Sequence, residues 1–293
     1  MIEICEPFNN IDILTESIYQ YIEIQNVITV ESSHNKWIVE MDNNNRNIDK
    51  SHYLIIDTLS HEAFFHWVAE CAIYLPLFTI LKRKYPTLKL YLKAFKTYKK
   101  IFCDFFHINQ TDIVYNLVPS NICIFPMPIS SLNINTIDDR WKQQVDYLIH
   151  ELTLKCADNP KNIQSILLPR QNKENFKNND RTYNTTDIHN NIQNSNGIIL
   201  NTDEIVDLND QIKTVNSSVN VILTGGSPYF MNGLFCKNSH IIVLDAFVVD
   251  QINMFIKLKY IHNKICMHNQ VFFINRKKGN IFYYNDIKRY LRT

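Results

Sequence analysis

Several features that mark common classes of protein are scarce or missing in this sequence. The 293 residues include only five glycines, and no G-x-G-x-x-G run follows an apolar stretch, which argues against a dinucleotide-binding dehydrogenase. Thirty basic residues nearly balance twenty-nine acidic ones, so no overall positive field exists to gather nucleic acid, and we expect no nucleic-acid partner. Apolar runs stay well below the roughly 18 residues of a membrane span, so we expect none.

The sequence also shows no cysteine-pairing pattern and no leader-like start. The seven cysteines are scattered without a C-x-x-C pair, which indicates reduced and mostly buried thiols. The opening residues, MIEICEPFNNIDILTE, carry acidic groups where a secretory signal peptide has a basic start and an apolar core. We therefore expect a cytoplasmic protein.

The sequence does contain a regular alternation of short apolar runs and segments of helical period. From Ser51 the runs YLIID, LKLYL and DIVYNL are separated by predicted helices over 62–84 and 95–106. A bridging helix is predicted near 138–156. Such alternation is typical of βαβ units.

The same alternation resumes in the second half. The runs SILLP, GIIL, VNVIL, HIIVL and QVFFIN are joined by predicted helices over 203–215 and 248–264, and a short helix is predicted from Asn285. Runs that are apolar at consecutive positions are typical of strands covered on both faces. The prediction is an α/β protein with two doubly wound domains, residues 1–158 and 159–293.

Two polar segments interrupt the pattern. Residues 171–196, QNKENFKNNDRTYNTTDIHNNIQNSN, are nearly devoid of apolar side chains, and we expect a long loop there. The shorter run DNNNRN at 42–47 lies between WIVEM and HYLIID, as a turn between two strands would.

A histidine-rich segment, HEAFFHWVAE over 61–70, is the first candidate for chemistry. His61 and His66 are five residues apart, about 140° around a helix, which does not suit a zinc protease. His66 and Glu70, at positions i and i+4, would share a helical face, where the carboxylate could orient the imidazole as a general base. The alternative is a histidine with satisfied hydrogen bonds at a helix start and an ordinary surface acid.

The turn after VNVIL, Thr224-Gly225-Gly226-Ser227, is the second candidate. Glycines allow close approach to the backbone, and N–H groups exposed after a strand attract phosphate, although a Gly-Gly turn can also serve packing alone. Arg170 directly follows the strand SILLP, and Arg181 follows in the asparagine-rich segment. A guanidinium group suits two phosphate oxygens, whereas a solvated surface charge is the alternative for either arginine.

Three segments, taken in order, resemble glycosyltransferase family 61. The helix start Ala63-Phe-Phe-His66-Trp67-Val-Ala-Glu70 is similar to the family's first motif. The strand end Leu168-Pro-Arg170, with Arg181-Thr-Tyr-Asn184 after it, is similar to the second. The third motif resembles Ser227-Pro-Tyr-Phe-Met-Asn232-Gly-Leu-Phe235, followed by the strand HIIVLD that ends in Asp245. The resemblance spans roughly residues 60 to 250.

This resemblance implies a GT-B-like fold, two Rossmann-like domains facing a cleft. It also implies metal-independent transfer of a sugar, with inversion, from a nucleotide-sugar donor such as a UDP-sugar to a glycan or glycoprotein hydroxyl. No cofactor or metal is then expected, and the chain has no convincing DxD motif. The implied catalytic residues are His66 as base and Glu70 as its partner. The implied donor-binding residues are Arg170, Arg181, Asn184, Gly225, Gly226, Ser227, Asn232 and Asp245.

Individual roles follow from motif position. Asp245 would accept hydrogen bonds from the donor's ribose hydroxyls, and Asn232 would hold the loop or contact the donor. The arginines and the turn at 225–227 would stabilise the leaving diphosphate. The alternative function is a catalytically silent module that binds a sugar nucleotide or a glycan.

Overall fold

The chain divides into two compact units, Met1–His150 and Glu151–Thr293, and each is described by itself. The structure is a computed structural model. It describes residues 2–5, 12–13, 19–33, 36–42, 51–56, 67–94, 96–117, 122–127, 137–154, 159–169, 183–201, 207–245, 247–275 and 281–292.

The first unit contains strands in two sheets. They are Ile2–Cys5 (β1), Asp12–Ile13 (β2), Gln20–Gln25 (β3), Val27–Ser33 (β4), Lys36–Met41 (β5), His52–Ile55 (β6), Lys89–Tyr91 (β7), Ile113–Val114 (β8) and Ile122–Met127 (β9). One sheet has the order β2-β3-β9-β6-β7-β8, and the other has the order β1-β5-β4. Strands β9, β6, β7 and β8 run parallel, whereas β2 and β3 are antiparallel additions at one edge.

The antiparallel sheet β1-β5-β4 packs against the larger sheet. Trp37 and Val39 from β5 share one apolar cluster with Ile22, Tyr53 and Phe125 of the larger sheet. The expectation of a doubly wound first domain is therefore wrong for this face, which a sheet covers instead of helices. The reason lies in strands such as β5, where buried and less buried residues alternate as in a sheet that buries one face.

The helical segments of this unit are Leu75–Lys84 (α1), Thr97–Phe105 (α2) and most of Asp139–Leu154 (α3), whose last four residues belong to the second unit. The helix predicted over 62–84 is not uniform in its described part. It begins with a π-helical turn, Trp67–Cys71, and passes through a 3₁₀ turn, Ala72–Tyr74, before α1. Residues 61–66 lie outside the described part of the chain.

The second unit is built on one parallel sheet. Its strands are Ile163–Leu168 (β10), Ile198–Ile199 (β11), Ser218–Thr224 (β12), His240–Leu244 (β13) and Gln270–Ile274 (β14). Their order is β11-β10-β12-β13-β14, and every neighbouring pair is parallel. Strands β12 and β13 are buried along nearly their whole length, as the consecutive apolar residues predicted.

Helices cover both faces of this sheet. They are Thr186–Asn194 (α4), Leu208–Asn216 (α5), Ser227–Phe235 (α6), Phe247–Met254 (α7), Ile256–Cys266 (α8) and Tyr284–Ile287 (α9). Ile188 and Ile192 of α4 pack with Ile287 of α9 on one face of the sheet. Tyr229 of α6 packs against Phe273 of β14 on the other face. The second half is therefore doubly wound, as predicted.

Two predictions for this unit are wrong. The loop expected over 171–196 contains α4, which two isoleucines at i and i+4 anchor to the sheet despite its polar composition. The helix expected over 248–264 is two helices that meet at Phe255, whose backbone is extended. Residues 171–182 lie outside the described part of the chain.

Five of the cysteines are free thiols. Cys71, Cys103, Cys123 and Cys236 are buried, whereas Cys266 is exposed. Within the described residues, no helix combines the length and the apolar character that crossing a bilayer requires.

Lys82 of α1 and Lys89 of β7 both form ion pairs with Asp112, which lies in a 3₁₀ turn just before β8. This cluster predicts that the stability of the fold depends on pH. Burial alone would raise the pKa of Asp112, but Lys82 and Lys89, whose Nζ atoms lie 2.9 and 3.1 Å from Oδ1, lower it below the usual 3.8. A lowered pKa stabilises the fold above the unfolded-state value, and this stability is lost as the pH falls through the folded-state value. We expect Asp112→Asn to lower the unfolding free energy by about 1 kcal/mol at pH 7.

Urea unfolding of both proteins between pH 7 and pH 2 checks this prediction. The difference between wild type and variant should shrink below about pH 4, where the wild-type carboxylate is protonated in the unfolded chain. A difference that stays constant down to pH 2 would show that charge is not its source.

Candidate functional site

The strand order of the second sheet indicates the edge at which a ligand would bind. Counted along the chain, its strands lie in the order second, first, third, fourth, fifth, so the direction of winding reverses between β10 and β12. In open parallel sheets, ligands bind outside the carboxyl ends of the strands at such a reversal. Strand β10 ends at Leu168 and β12 ends at Thr224, so the site is expected beside Thr224.

The residues after β12 are held tightly against those after β13. The Gly225 N–H donates to the Leu244 carbonyl oxygen at 3.1 Å, which continues the ladder one residue past the strand. A Cβ at Gly225 would lie 3.2 Å from the Asp245 carbonyl oxygen and 3.3 Å from Cβ of Val248. A side chain at this position would press on the residues after β13, and glycine allows the turn at 225–227 to lie close beside Asp245.

Gly226 has a different role. Its φ of +87° lies in the region that favours glycine, and no atom of the described residues lies within 4 Å of the position that a Cβ would occupy. Helix α6 begins at the next residue, with Gly226 as its N-cap and Pro228 in its first turn. Gly226 has no side chain with which to cap this N-terminus. The N–H groups of the first helical turn and the positive end of the helix dipole therefore lie at this turn.

Thr224 contributes a hydroxyl to the same edge. The residue is completely buried, yet its Oγ1 finds no hydrogen-bond partner in the described part of the chain. Leaving a buried hydroxyl unsatisfied costs about 1–3 kcal/mol. Ile222, two residues earlier, and Leu244, its cross-strand neighbour, both pack on the α4 face, so alternation places the Thr224 side chain on that face.

Asp245 lies at the end of β13 with an unusual backbone. Its φ is +109°, a conformation that non-glycine residues adopt at a cost of about 1–3 kcal/mol. The carboxylate is buried and accepts a hydrogen bond from Tyr183 Oη at 2.6 Å through Oδ2. The Asp245 N–H donates to the Ile274 carbonyl oxygen at 3.1 Å, so the ends of β12, β13 and β14 form one continuous edge.

Two of the residues predicted to bind the sugar donor form hydrogen bonds within the second unit. The amide of Asn232 is buried, and it donates to the Pro228 carbonyl oxygen and accepts from Gln211 Nε2 at 2.6 Å. It thus ties α6 to α5. Asn184 is exposed, and its Oδ1 accepts the Thr186 N–H at 3.1 Å, which helps to start α4.

The proposed catalytic segment is described only in part. Glu70 lies in the π-helical turn and is only 2% exposed, so the interpretation as an ordinary surface acid is wrong. A π-helical turn follows i to i+5 hydrogen bonding, and such turns are frequent at functional sites. The other predicted residues with a direct chemical role, His66, Arg170 and Arg181, lie outside the described residues.

The structure thus brings together Gly225, Gly226, Ser227 and Asp245 at one edge, and adds Tyr183 and Thr224, to which the sequence assigned no individual role. Tyr183 lies within the Arg181-to-Asn184 motif, but its partner is 62 residues away, which no local pattern reveals. Thr224 directly precedes the glycine pair, and this position in the sequence is the feature that could have identified it.

This edge can bind an anion that carries hydroxyl groups nearby. The α6 N–H groups and the Thr224 hydroxyl are donors suited to phosphate oxygens, and the Asp245 carboxylate is an acceptor suited to sugar hydroxyls. The described residues contain no group of three or more His, Cys, Asp or Glu side chains placed to hold a metal ion.

Comparisons with known proteins give no family for this chain. No protein-family model matches it, and no curated protein matches it significantly.

Proposed function

We propose that the protein is an inverting, metal-independent glycosyltransferase that transfers a sugar from a nucleotide-sugar donor, a UDP-sugar by preference, to a glycan or glycoprotein hydroxyl. The observation that carries the proposal is the glycine turn that begins α6 beside the buried Asp245, at the reversal point of a doubly wound sheet. The Thr224 hydroxyl, which has no partner among the described residues, lies at the same edge of the sheet. The ordered resemblance of three segments to glycosyltransferase family 61 supports the same conclusion.

The donor's diphosphate would lie against the turn at 225–227. Backbone N–H groups and Thr224 Oγ1 would bind its oxygens, and Arg170, which follows the end of β10 by two residues, would neutralise its charge. Arg181 would supply a second guanidinium group. Without a metal ion, these donors carry the negative charge that develops on the leaving group.

Asp245 would bind the nucleoside side of the donor. The Tyr183 hydrogen bond fixes Oδ2 of this carboxylate, and a ribose hydroxyl would donate to it from the ligand side. Because the residue is buried, the carboxylate is desolvated, and a hydrogen bond to it would be stronger than one in water.

The chemical step in this proposal is a single displacement. The acceptor oxygen attacks the anomeric carbon and forms the new glycosidic bond, while the bond from that carbon to the diphosphate oxygen breaks and the nucleoside diphosphate leaves. The acceptor's proton passes to His66, whose orientation and charge Glu70 supports. The GT-B arrangement and a cytoplasmic location belong to this proposal.

Donor hydrolysis and transfer by the purified full chain test the proposal. We expect nucleoside diphosphate to be released from one sugar nucleotide, and His66→Ala to reduce turnover by about 10²- to 10⁴-fold. His150→Ala, at an exposed position of α3, is the matched control and should keep full activity. If His66→Ala turned over as fast as wild type, the base assignment would be wrong.

The second candidate function is a module that binds a sugar nucleotide or a glycan and catalyses no transfer. It is favoured by the described features of the edge itself, since N–H groups, a hydroxyl and a buried carboxylate held by Tyr183 all serve binding. Tight binding of a nucleoside diphosphate, without release of sugar to any acceptor or to water, would select this candidate.

A further inference from the structure

A histidine and a cysteine meet on helix α8, near the point where the chain turns into β14 and not at the carboxyl ends of the strands. The pair is His262 and Cys266, at i and i+4, and Cys266 is the last residue of the helix. The Cys266 sulfur lies 3.5 Å from Nε2 and 3.7 Å from Nδ1 of the imidazole. Cys266 is exposed, so a ligand can reach its sulfur from solvent.

The imidazole of His262 is held from its other side. Tyr229 of α6, which is completely buried, places its Oη 2.6 Å from Nδ1, and the Phe273 ring lies 5.8 Å from the imidazole between centroids. A histidine that ligates a metal uses one nitrogen for the metal and the other for an orienting hydrogen bond. Tyr229 supplies that bond at Nδ1, which leaves Nε2 for a metal ion.

The spacing of the pair suits a tetrahedral ion. Zinc bonds of about 2.0–2.1 Å to nitrogen and about 2.3 Å to sulfur, at a tetrahedral angle, separate the two ligand atoms by about 3.5 Å. The sulfur is nearly equidistant from both ring nitrogens, so it does not lie on the axis of the Nε2 lone pair. Zinc binding therefore requires a rotation about the Cα–Cβ bond of Cys266 that moves the sulfur toward this axis, and Cys266 is exposed.

One chain supplies only half of such a site. Structural zinc takes four protein ligands, and no third His, Cys, Asp or Glu joins the pair within the part of the chain that the structure describes. Large apolar side chains are exposed at both ends of α8, namely Met254 (69%), Ile256 (44%) and Met267 (68%). Exposed apolar groups around an incomplete site favour a second copy of the chain as the partner.

We propose that His262 and Cys266 form half of a Zn²⁺ site, which a second copy of the chain completes with the same two residues. The site is then tetrahedral, with two imidazole nitrogens and two thiolate sulfurs. As each sulfur–zinc bond forms, the thiol proton is released to solvent, and no oxidation or reduction takes place. This inference is independent of the proposed transferase function.

Native mass spectrometry and light scattering of the full chain, after EDTA treatment and during Zn²⁺ addition, test the proposal. We expect zinc to double the mass, with one zinc ion for two chains. Cys266→Ser and His262→Gln should each abolish the doubling. His268→Gln, which changes an exposed histidine just past the helix, is the matched control and should keep it.

Co²⁺ gives a second readout that does not depend on mass. Substitution into the site should produce a thiolate-to-cobalt charge-transfer absorption in wild type that is missing in Cys266→Ser. A mass that zinc does not change would overturn the proposal, as would a doubling that persists in Cys266→Ser. Binding of one zinc ion per chain without a change in mass would also overturn it.

Discussion

Replacing Thr224 by valine is expected to stabilise the protein and, at the same time, to weaken its binding of a nucleoside diphosphate. Valine has nearly the same shape but no hydroxyl, so the substitution removes a buried polar atom that has no partner among the described residues. The unfolding free energy should rise by about 1 kcal/mol. The dissociation constant for UDP should rise about tenfold or more, because a hydrogen bond to a charged group is worth about 1.5–3 kcal/mol.

The opposite signs of the two effects make this prediction specific. Urea unfolding measures the stability, and calorimetric titration with UDP measures the affinity. Thr224→Ser is the control, since it keeps the hydroxyl and should retain the affinity while losing stability to a small cavity. If Thr224→Val lost stability and bound UDP like wild type, the hydroxyl would have a structural role only.

Gly226→Ala should have the largest effect on binding. The φ of +87° would cost the alanine about 1–3 kcal/mol, and its Cβ would project into a space that no described residue fills, where the phosphate is proposed to lie. We expect UDP affinity to fall about a hundredfold or more, since both the turn and the approach of the ligand are disturbed. Calorimetric titration well below the melting temperature measures this loss.

Gly233→Ala is the matched control for Gly226→Ala. It lies in the same helix, but its Cβ would come within 2.8 Å of Cδ1 of Ile265, away from the helix N-terminus. Overpacking of this kind costs about 1–3 kcal/mol, partly offset by the better helix propensity of alanine. The control should therefore lose some stability and keep UDP affinity. Equal loss of affinity in both variants would contradict a specific role for Gly226.

The second unit could be predicted from sequence because its strands have a clear pattern. Strands β12 and β13 are continuous apolar runs bounded by polar residues, and helices fill the intervals between them. Helix α4 was missed because few of its residues are apolar, and the packing of Ile188 and Ile192 on the sheet outweighs its polar composition. Local composition does not record such tertiary anchoring.

The first unit was harder to predict for a related reason. An apolar run such as WIVEM indicates a strand, but not which sheet the strand joins. Strand β5 pairs with β1 and β4 in a separate sheet, and Trp37 reaches Phe125 of the larger sheet with 5.5 Å between ring centroids. Pairing between distant strands depends on the whole chain, so the alternation of runs alone suggested helices on both faces.

Some features of the candidate site could be predicted from the sequence, and others could not. The turn at 225–227 could be found from its glycines, and Asp245 from its place after an apolar run. The positive φ of Asp245 and its hydrogen bond with Tyr183 arise only when two distant segments meet in the fold. These contacts explain why Asp245 is fixed in place, which sequence position alone could not show.

The most direct test of the central claim is to map UDP binding on the backbone amides by NMR. In a ¹⁵N-labelled, deuterated full chain, the amide signals of Gly225, Gly226 and Ser227 should shift on addition of UDP, with smaller changes on addition of uridine. Saturation with UDP that shifts signals elsewhere and leaves these three unchanged would contradict a phosphate site at the start of α6.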